Sequence, residues 1–462
     1  MEDISLDQVT TRAEDQWFDR KSFEIKPKDL AKALVGLANT EGGIIAWGIR
    51  DCKLQGIPTP DQDNAMRQAT LDFTDPTVEV RSTRLSGTTP DGKPAQVVLL
   101  KVSPSPRVHY LTNSECWLRV GDETKQLKKI EDIQELAYSK GERTHDSTPV
   151  ANTSVNDIDP TLLQKYASTI GSSSADNALQ ARHLLTREDS ATVGAILMLG
   201  KDPQEFFPHA TIRVLKWAEK DRHYGRNQLL EADRHFTGTI PSQIEEARKY
   251  ILSLLPHTSR LGREGAFIRE PVVPTDAWLE GLVNAAIHRS YSLTGDHIRF
   301  EIYPDRIEIT NPGRFPGLAD PRDPESISRF ARNPTIARMA SELRIGQELG
   351  EGIRRIFSEM RDVGFTDPAY SQTNGTVTLR LGTARRVSEQ DLASLPTGAA
   401  AILTVLQRAD TPLGTGDIAT MVNMSRPSTR NALTALRDAG YITWQGQSPR
   451  DPRATWAIKD AL

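Results

Sequence analysis

Apolar residues recur at helical period across residues 29–39, with Leu30, Leu34, Val35 and Leu37 among them, and Glu41-Gly42-Gly43 ends the pattern. The apolar run 44–49 that follows predicts a strand, and residues 97–102 and 116–120 predict further strands. A helix, a glycine stop and a strand-rich remainder make the first segment an α+β domain. Residues 147–159 are polar and small and read as a linker. Beyond them, 191–199 is apolar and ends at the turn 200–203, 210–215 predicts a strand, and 241–255 returns to helical period. No catalytic constellation falls in this middle segment, so a connecting or scaffolding role is expected there. Residues 279–288 place Glu280, Asn284 and His288 four apart along one side of a helix, while Leu282, Val283, Ala286 and Ile287 form the face that packs inward. A strand at 305–313 ends in Asn311-Pro312-Gly313, and the glycine-spaced turn 346–353 opens a helix through Ile356 and Met360. After a weaker break at 388–398 come helical stretches at 400–408, 416–421 and 426–439, then strands at 440–443 and 455–458.

With 462 residues the chain is expected to form three or four domains, because single cores rarely outgrow a couple of hundred residues. A net charge of -4 argues against a protein that coats nucleic acid wholesale but leaves room for a local basic site. No apolar run is long enough to span a bilayer, and the acidic start lacks a secretory signal, so a soluble, cytoplasmic protein without membrane contact is expected. Two cysteines, Cys52 and Cys116, have no metal-ligand spacing and are expected to be buried thiols in a reducing compartment. The nine histidines show no pair at metal spacing, and no serine lies in a nucleophile-elbow phrase.

Three constellations carry candidate chemistry. The stripe Glu280, Asn284 and His288 is by itself compatible with an ordinary amphipathic helix, and His288 with a packing residue. The turn Gly346, Gly350, Gly352 would let backbone approach phosphates at a helix N-terminus. At the amino end, Glu14, Asp19 and Asp51 beside Lys21 are the groups a metal-dependent phosphodiester cleavage site needs, carboxylates for magnesium or manganese and an ammonium for developing charge. On spacing alone these are solvated surface charges. The third is the helix 426–439, where Ser425 suits an N-cap, Pro427 the first turn, and Leu433 and Leu436 the inward face. Arg426 and Arg430 stand one turn apart with Ser428, Thr429 and Asn431 around them, a set suited to phosphate and base-edge contacts. From residue 395 onward seven Lys and Arg stand against five Asp and Glu, 7 - 5 = +2, so the local charge has the sign nucleic acid requires. Arg450 and Arg453, between the last two strands, would reach a minor groove or backbone. Winged helices also dock proteins, so both readings stand on the residues alone.

Resemblance adds to each. The asparagine helix, Asn311-Pro312-Gly313 and the 346–352 turn, in that order, resemble the nucleotide-binding boxes of the GHKL ATPases. The phrases NAAIHRSYS, YPDRIEITNPG and RNPTIA resemble the divergent GHKL-like domain of RecG-related regulators, over about residues 262–382. That resemblance implies ATP with magnesium, held by Asn284, with Glu280 orienting the attacking water and Asn311, Gly313, His288, Gly346, Gly350 and Gly352 around the nucleotide. This chain has Asn311 where the family usually shows an aspartate under the adenine. Phe18-Asp19-Arg20-Lys21, the ANTEGG phrase at 38–43, Trp47-Gly48-Ile49-Arg50-Asp51, His109-Tyr110 and WLRVG at 117–121 are similar to the Schlafen/AlbA-type domain over most of residues 10–138. In animal Schlafen proteins a three-carboxylate site cuts RNA, and Glu14, Asp19 and Asp51 are the matching positions. Asp19 replaces the usual glutamate with a shorter arm. Three helices and a strand pair at the carboxyl end resemble a winged helix-turn-helix domain.

These readings combine into an α+β multidomain chain. Its parts are a Schlafen/AlbA-like nucleic-acid-binding domain at 1–146, a connecting α/β region at 147–261, a GHKL-like ATP-binding α/β sandwich at 262–386 and a winged helix-turn-helix at 387–462. The expected function is an ATP-responsive regulator that binds DNA or RNA, with homo-oligomerisation implied by the GHKL resemblance. The alternative is a Schlafen-like metal-dependent endoribonuclease, acting in defence against phage, with the GHKL-like domain as its switch. Weak ATP hydrolysis and metal-dependent cleavage are the two activities these residues would carry.

Overall fold

The computed structural model describes residues 4–223, 228–261, 267–315, 321–326, 330–345, 351–373, 375–384, 395–409, 412–446 and 454–458. The first domain is built on strands β1 (Phe18–Lys21), β2 (Gly43–Trp47), β3 (Val80–Thr88) and β4 (Pro94–Val102), ordered β1-β2-β4-β3 with β1 parallel to β2. Helix α1 (Pro27–Ala38) starts with proline in its first turn, where no backbone donor is lost, and buries Leu30, Leu34, Val35 and Leu37 against Trp47, Val98 and Leu100. It stops at Gly42, whose φ of +77° and approach to the Val102 carbonyl leave no room for a side chain: a Cβ would lie 2.6 Å from that oxygen. Strands β5 (Cys116–Val120) and β6 (Glu123–Leu127) form a second sheet with two short strands, and α2 (Ile130–Lys140) closes the domain at the left-handed cap Gly141.

The segment read as a connector supplies part of the next sheet. Strands β7 (Ile212–Trp217) and β8 (Leu230–Phe236) join β9 (Ile298–Tyr303), β10 (Arg306–Pro312), β11 (Ala369–Thr373) and β12 (Thr376–Gly382) in the order β8-β7-β9-β10-β12-β11. The β7–β9 pair is parallel and the others are antiparallel. Apolar residues of α3 (Val193–Leu199), α4 (Ile240–Leu254), α5 (Thr275–His288), α6 (Pro334–Glu342) and α7 (Gly352–Asp362) share one core with this sheet, so residues 191–381 contribute to one buried unit. Helix α3 has all seven of its residues buried, which explains the unbroken apolar run in the sequence.

Helices α8 (Ala399–Arg408), α9 (Thr415–Met421) and α10 (Arg426–Asp438) pack around Ile402, Ile418, Leu433 and Leu436. Strands β13 (Ile442–Gln445) and β14 (Thr455–Ile458) pair with each other, β14 also pairs with a short strand at Leu413–Gly414, and Trp456 anchors the hairpin from inside. Among the described residues no helix is long and apolar enough to cross a membrane. Cys116 is buried and its thiol pKa is pushed up to about 11 by burial, but Cys52 is exposed, against expectation, because it sits in the tight turn after Arg50.

Candidate nucleotide site and nucleic-acid surfaces

Helix α5 holds Glu280 and Asn284 one turn apart, and the first residue of α7 meets them. A Cβ on Gly352 would fall 2.2 Å from Glu280 Oε1 and 3.1 Å from Asn284 Nδ2, so only glycine lets α7 begin at this place. An eleven-residue helix thus points its amide-rich, positive end at an acid and an amide side chain. Burial raises the pKa of Glu280 above the ordinary carboxylate value, and Arg355 and a hydrogen bond from Asn284 only partly oppose it. A buried carboxyl that resists ionisation suits a proton acceptor for water better than a counterion. Asn311 lies on β10 opposite Val377, and its buried Oδ1 has no partner among the described residues, leaving an acceptor for a ligand amino group. Gly313 adopts φ +123° and donates its N–H to the Gly375 carbonyl at 2.7 Å. His288 lies one turn beyond Asn284 on α5. Burial lowers its pKa to about 4, and its Nδ1 is enclosed without a partner among the described residues. Gly346 and Gly350 lie outside the described residues. Glu280, Asn284 and the α7 terminus meet at one place and are groups of the chemistry a magnesium nucleotide needs.

The amino-terminal carboxylates do not come together. Asp19, 1% exposed on β1, is paired with Lys21 at 2.7 Å and with Arg119 at 3.2 Å. Glu14 accepts the backbone N–H of Arg20 at 3.2 Å, and Asp51 sits exposed in the turn between Arg50 and Lys53 at φ 49°. Among the described residues no group of three His, Cys, Asp or Glu side chains is placed to hold a metal ion. The physical reason is charge balance: two cations already neutralise Asp19, and Lys21 is spent on that pair. These residues do not fit a metal-held phosphodiester site.

On α10 the cap is as the sequence predicts, with Ser425 Oγ accepting the N–H of Ser428 at 3.3 Å and Leu433 and Leu436 fully buried. Arg426, Ser428, Arg430 and Asn431 are exposed along one stretch of the helix. Thr429 is a correction. It is fully buried and turns its hydroxyl back to the Ser425 carbonyl at 3.0 Å, so it packs rather than binds. Arg450 and Arg453 fall outside the described residues.

Comparison with known proteins follows this geometry. Residues 14–128 match the family described as "Schlafen, AlbA_2", residues 295–381 match "Putative ATP-dependent DNA helicase recG C-terminal", and residues 399–446 match "IclR helix-turn-helix domain". The chain joins a Schlafen/AlbA domain, a RecG-type ATPase-like domain and a helix-turn-helix. Such a set is that of a nucleic-acid-binding regulator. Among solved structures it is similar to the DIP2311 protein from Corynebacterium diphtheriae, at 18% identity, over 98% of this chain and 96% of that one, with a TM-score of 0.43. No curated protein matches the chain.

The residues that sequence reasoning missed join the Schlafen/AlbA domain to the ATPase-like domain. Glu41, in the ANTEGG turn, accepts Arg314 at 3.0 Å, Gln372 at 2.7 Å and Gln16 at 3.0 Å. Burial pushes its carboxyl up, but Arg314 and Gln372 outweigh that and hold its pKa below the ordinary value. On α2, Glu135 accepts Ser290 at 2.6 Å, Ser292, and Arg332 at 3.1 Å. Arg332, 2% exposed, also donates to Ser139 and to the Arg314 carbonyl. Its neighbour Asn333 donates to the carbonyls of Ile287 and Arg289, at 2.8 Å each, where α5 ends. The phrases NAAIHRSYS and RNPTIA are thus the joinery of the two domains. A signal was present: Glu41 and Arg332 are charged residues inside recognised phrases to which no chemistry had been assigned.

Proposed function

We propose that the chain is an ATP-responsive nucleic-acid-binding regulator whose nucleotide state is felt by the Schlafen/AlbA domain. One observation carries the reading. Arg314 directly follows the adenine turn Asn311-Pro312-Gly313, and its guanidinium pairs with Glu41 of the other domain. A ligand that reorders that turn acts on a half-buried interdomain ion pair, and coupling of this kind is reciprocal: nucleic acid then changes ATP affinity by the factor by which ATP changes nucleic-acid affinity. Asn284 holds magnesium, Glu280 positions water where hydrolysis occurs, and the exposed face of α10 with Arg426 and Arg430 contacts DNA.

The test has two readouts. Magnesium-ATP raises the melting temperature of the wild type and not of Asn284→Ala, because a ligand stabilises only the state that binds it. Nucleic-acid affinity then changes with ATP in the wild type and not in Arg314→Ala. No thermal shift with ATP overturns the nucleotide reading, and equal affinity with and without ATP overturns the coupling. Incubation with tRNA and manganese checks the endoribonuclease alternative: cleavage that vanishes in Asp51→Ala would reinstate it. Mass measurement in solution checks the homo-oligomer implied by the GHKL resemblance.

A further inference from the structure

Helix α5 carries Asp276, Glu280 and Asn284 at four-residue spacing, so all three stand along one side of it. The start of α7 meets that stripe at Gly352, and Arg355 follows one turn further along α7. Resting on the nucleotide reading above, we propose that Arg355 is the cation that holds the phosphates, and that its ion pair with Asp276 restrains it until they draw it away.

Three observations support this. First, Arg355 stands at the acids of α5. Its Nη2 lies 2.7 Å from Asp276 Oδ2, and its charge is the largest influence opposing the effect of burial on Glu280, the same carboxyl that Gly352 meets. Glu280 itself is 8% exposed and forms no ion pair with a described residue. Second, the Arg355–Asp276 pair can be released. Its side chains are 37% and 51% exposed, and ion pairs open to water contribute little. A phosphate takes a guanidinium through two parallel hydrogen bonds, and a triphosphate with its magnesium carries more negative charge than one carboxylate. The amide donors at the start of α7 favour an anion at the same end. Third, the other arginines of α7 are engaged elsewhere. Arg354 donates to the Glu325 carbonyl at 3.1 Å, and Arg361 pairs with Glu325 and Asp367. Asp276, Glu280 and Glu359 all act on Arg355, so this cation decides whether the seam between α5 and α7 attracts or repels an anion.

The test titrates magnesium-ATP, and separately adenosine, into the full-length protein at low salt and measures affinity by calorimetry. Arg355→Gln is expected to weaken magnesium-ATP about tenfold or more and to leave adenosine, which has no phosphate, unchanged. Arg355→Lys keeps the charge without the fork and recovers part of the loss. Asp276→Ala is expected to tighten magnesium-ATP roughly two- to fivefold, the range an exposed ion pair supplies, because it frees Arg355. An Arg355→Gln variant that binds magnesium-ATP as the wild type does, or loses adenosine equally, overturns the phosphate role. Weaker magnesium-ATP binding in Asp276→Ala overturns the restraint. Where Arg355→Gln fails to fold, Arg355→Lys and Asp276→Ala decide the matter. A wild type that binds no magnesium-ATP is a different failure, because it overturns the nucleotide reading itself and the role of Arg355 with it.

Discussion

Asp19 and Glu280 are both buried carboxylates on regular elements, and their surroundings give them opposite roles. Asp19 has a lysine and an arginine within 3.2 Å and is a fixed counterion inside the Schlafen/AlbA domain. Glu280 has an asparagine and the glycine start of α7 beside it, no ion pair with a described residue, and a pKa raised by burial that Arg355 only partly opposes. The difference teaches that an acid within a recognised motif is a candidate for chemistry only where the fold leaves its charge uncompensated. Compensation, not burial, separates the two.

The comparison breaks most directly by removing each acid. Asp19→Ala strands Arg119 as an unpaired buried charge and is expected to cost about 3–5 kcal/mol in denaturant unfolding. Glu280→Gln, which deletes a costly buried charge and keeps the shape, is expected to leave stability at neutral pH equal or higher while removing any ATP turnover. A loss at Glu280→Gln as large as that at Asp19→Ala would erase the distinction. The interdomain pair belongs with Asp19: Arg332→Ala leaves Glu135 without its cation and is expected to cost roughly 3 kcal/mol.

A pH series sharpens the same contrast. The folded pKa of Glu280 is raised, so the native state holds a proton the unfolded chain has released, and stability falls as pH rises past the ordinary glutamate value. Glu280→Gln removes that slope. Lys140 works the other way. Burial lowers its pKa to about 7, and its ammonium donates to the carbonyls of Ala38 and Ser105 at 2.8 and 2.6 Å. Above pH 7 the unfolded chain binds a proton the folded one lacks, so stability rises with pH toward the ordinary lysine range, and Lys140→Met flattens the rise. The smallest expected effect lies on α10. Arg430→Ala is expected to reduce the salt slope of DNA binding by about one, as loss of one phosphate contact does. Thr429→Val is expected to leave DNA binding unchanged, because its hydroxyl faces the helix and not solvent.

Much of the architecture was legible because it rests on local rules. Helix α1 and its glycine stop, the Ser425 cap and the inward Leu433 and Leu436 follow from period and capping. The meeting of Asn284 with Gly352 was not legible, because contact between residues of two different helices leaves no mark on period or capping. The sharing of one sheet by β7 and β9 was not legible, because pairing across some eighty residues leaves no trace in periodicity. The fate of Asp19 was hidden for the same reason: Arg119, its second cation, stands a hundred residues away on β5. The burial of Thr429 reflects a one-residue rotation around α10 that polarity alone does not report.

Asn333 and Arg332 are adjacent, yet one fastens the last carbonyls of α5 and the other reaches α2 of the neighbouring domain. A single dipeptide therefore fixes both the end of the nucleotide helix and the partner of Glu135. Recombination among related genes that exchanged the first domain would succeed only at breakpoints keeping positions 135 and 332 from one parent.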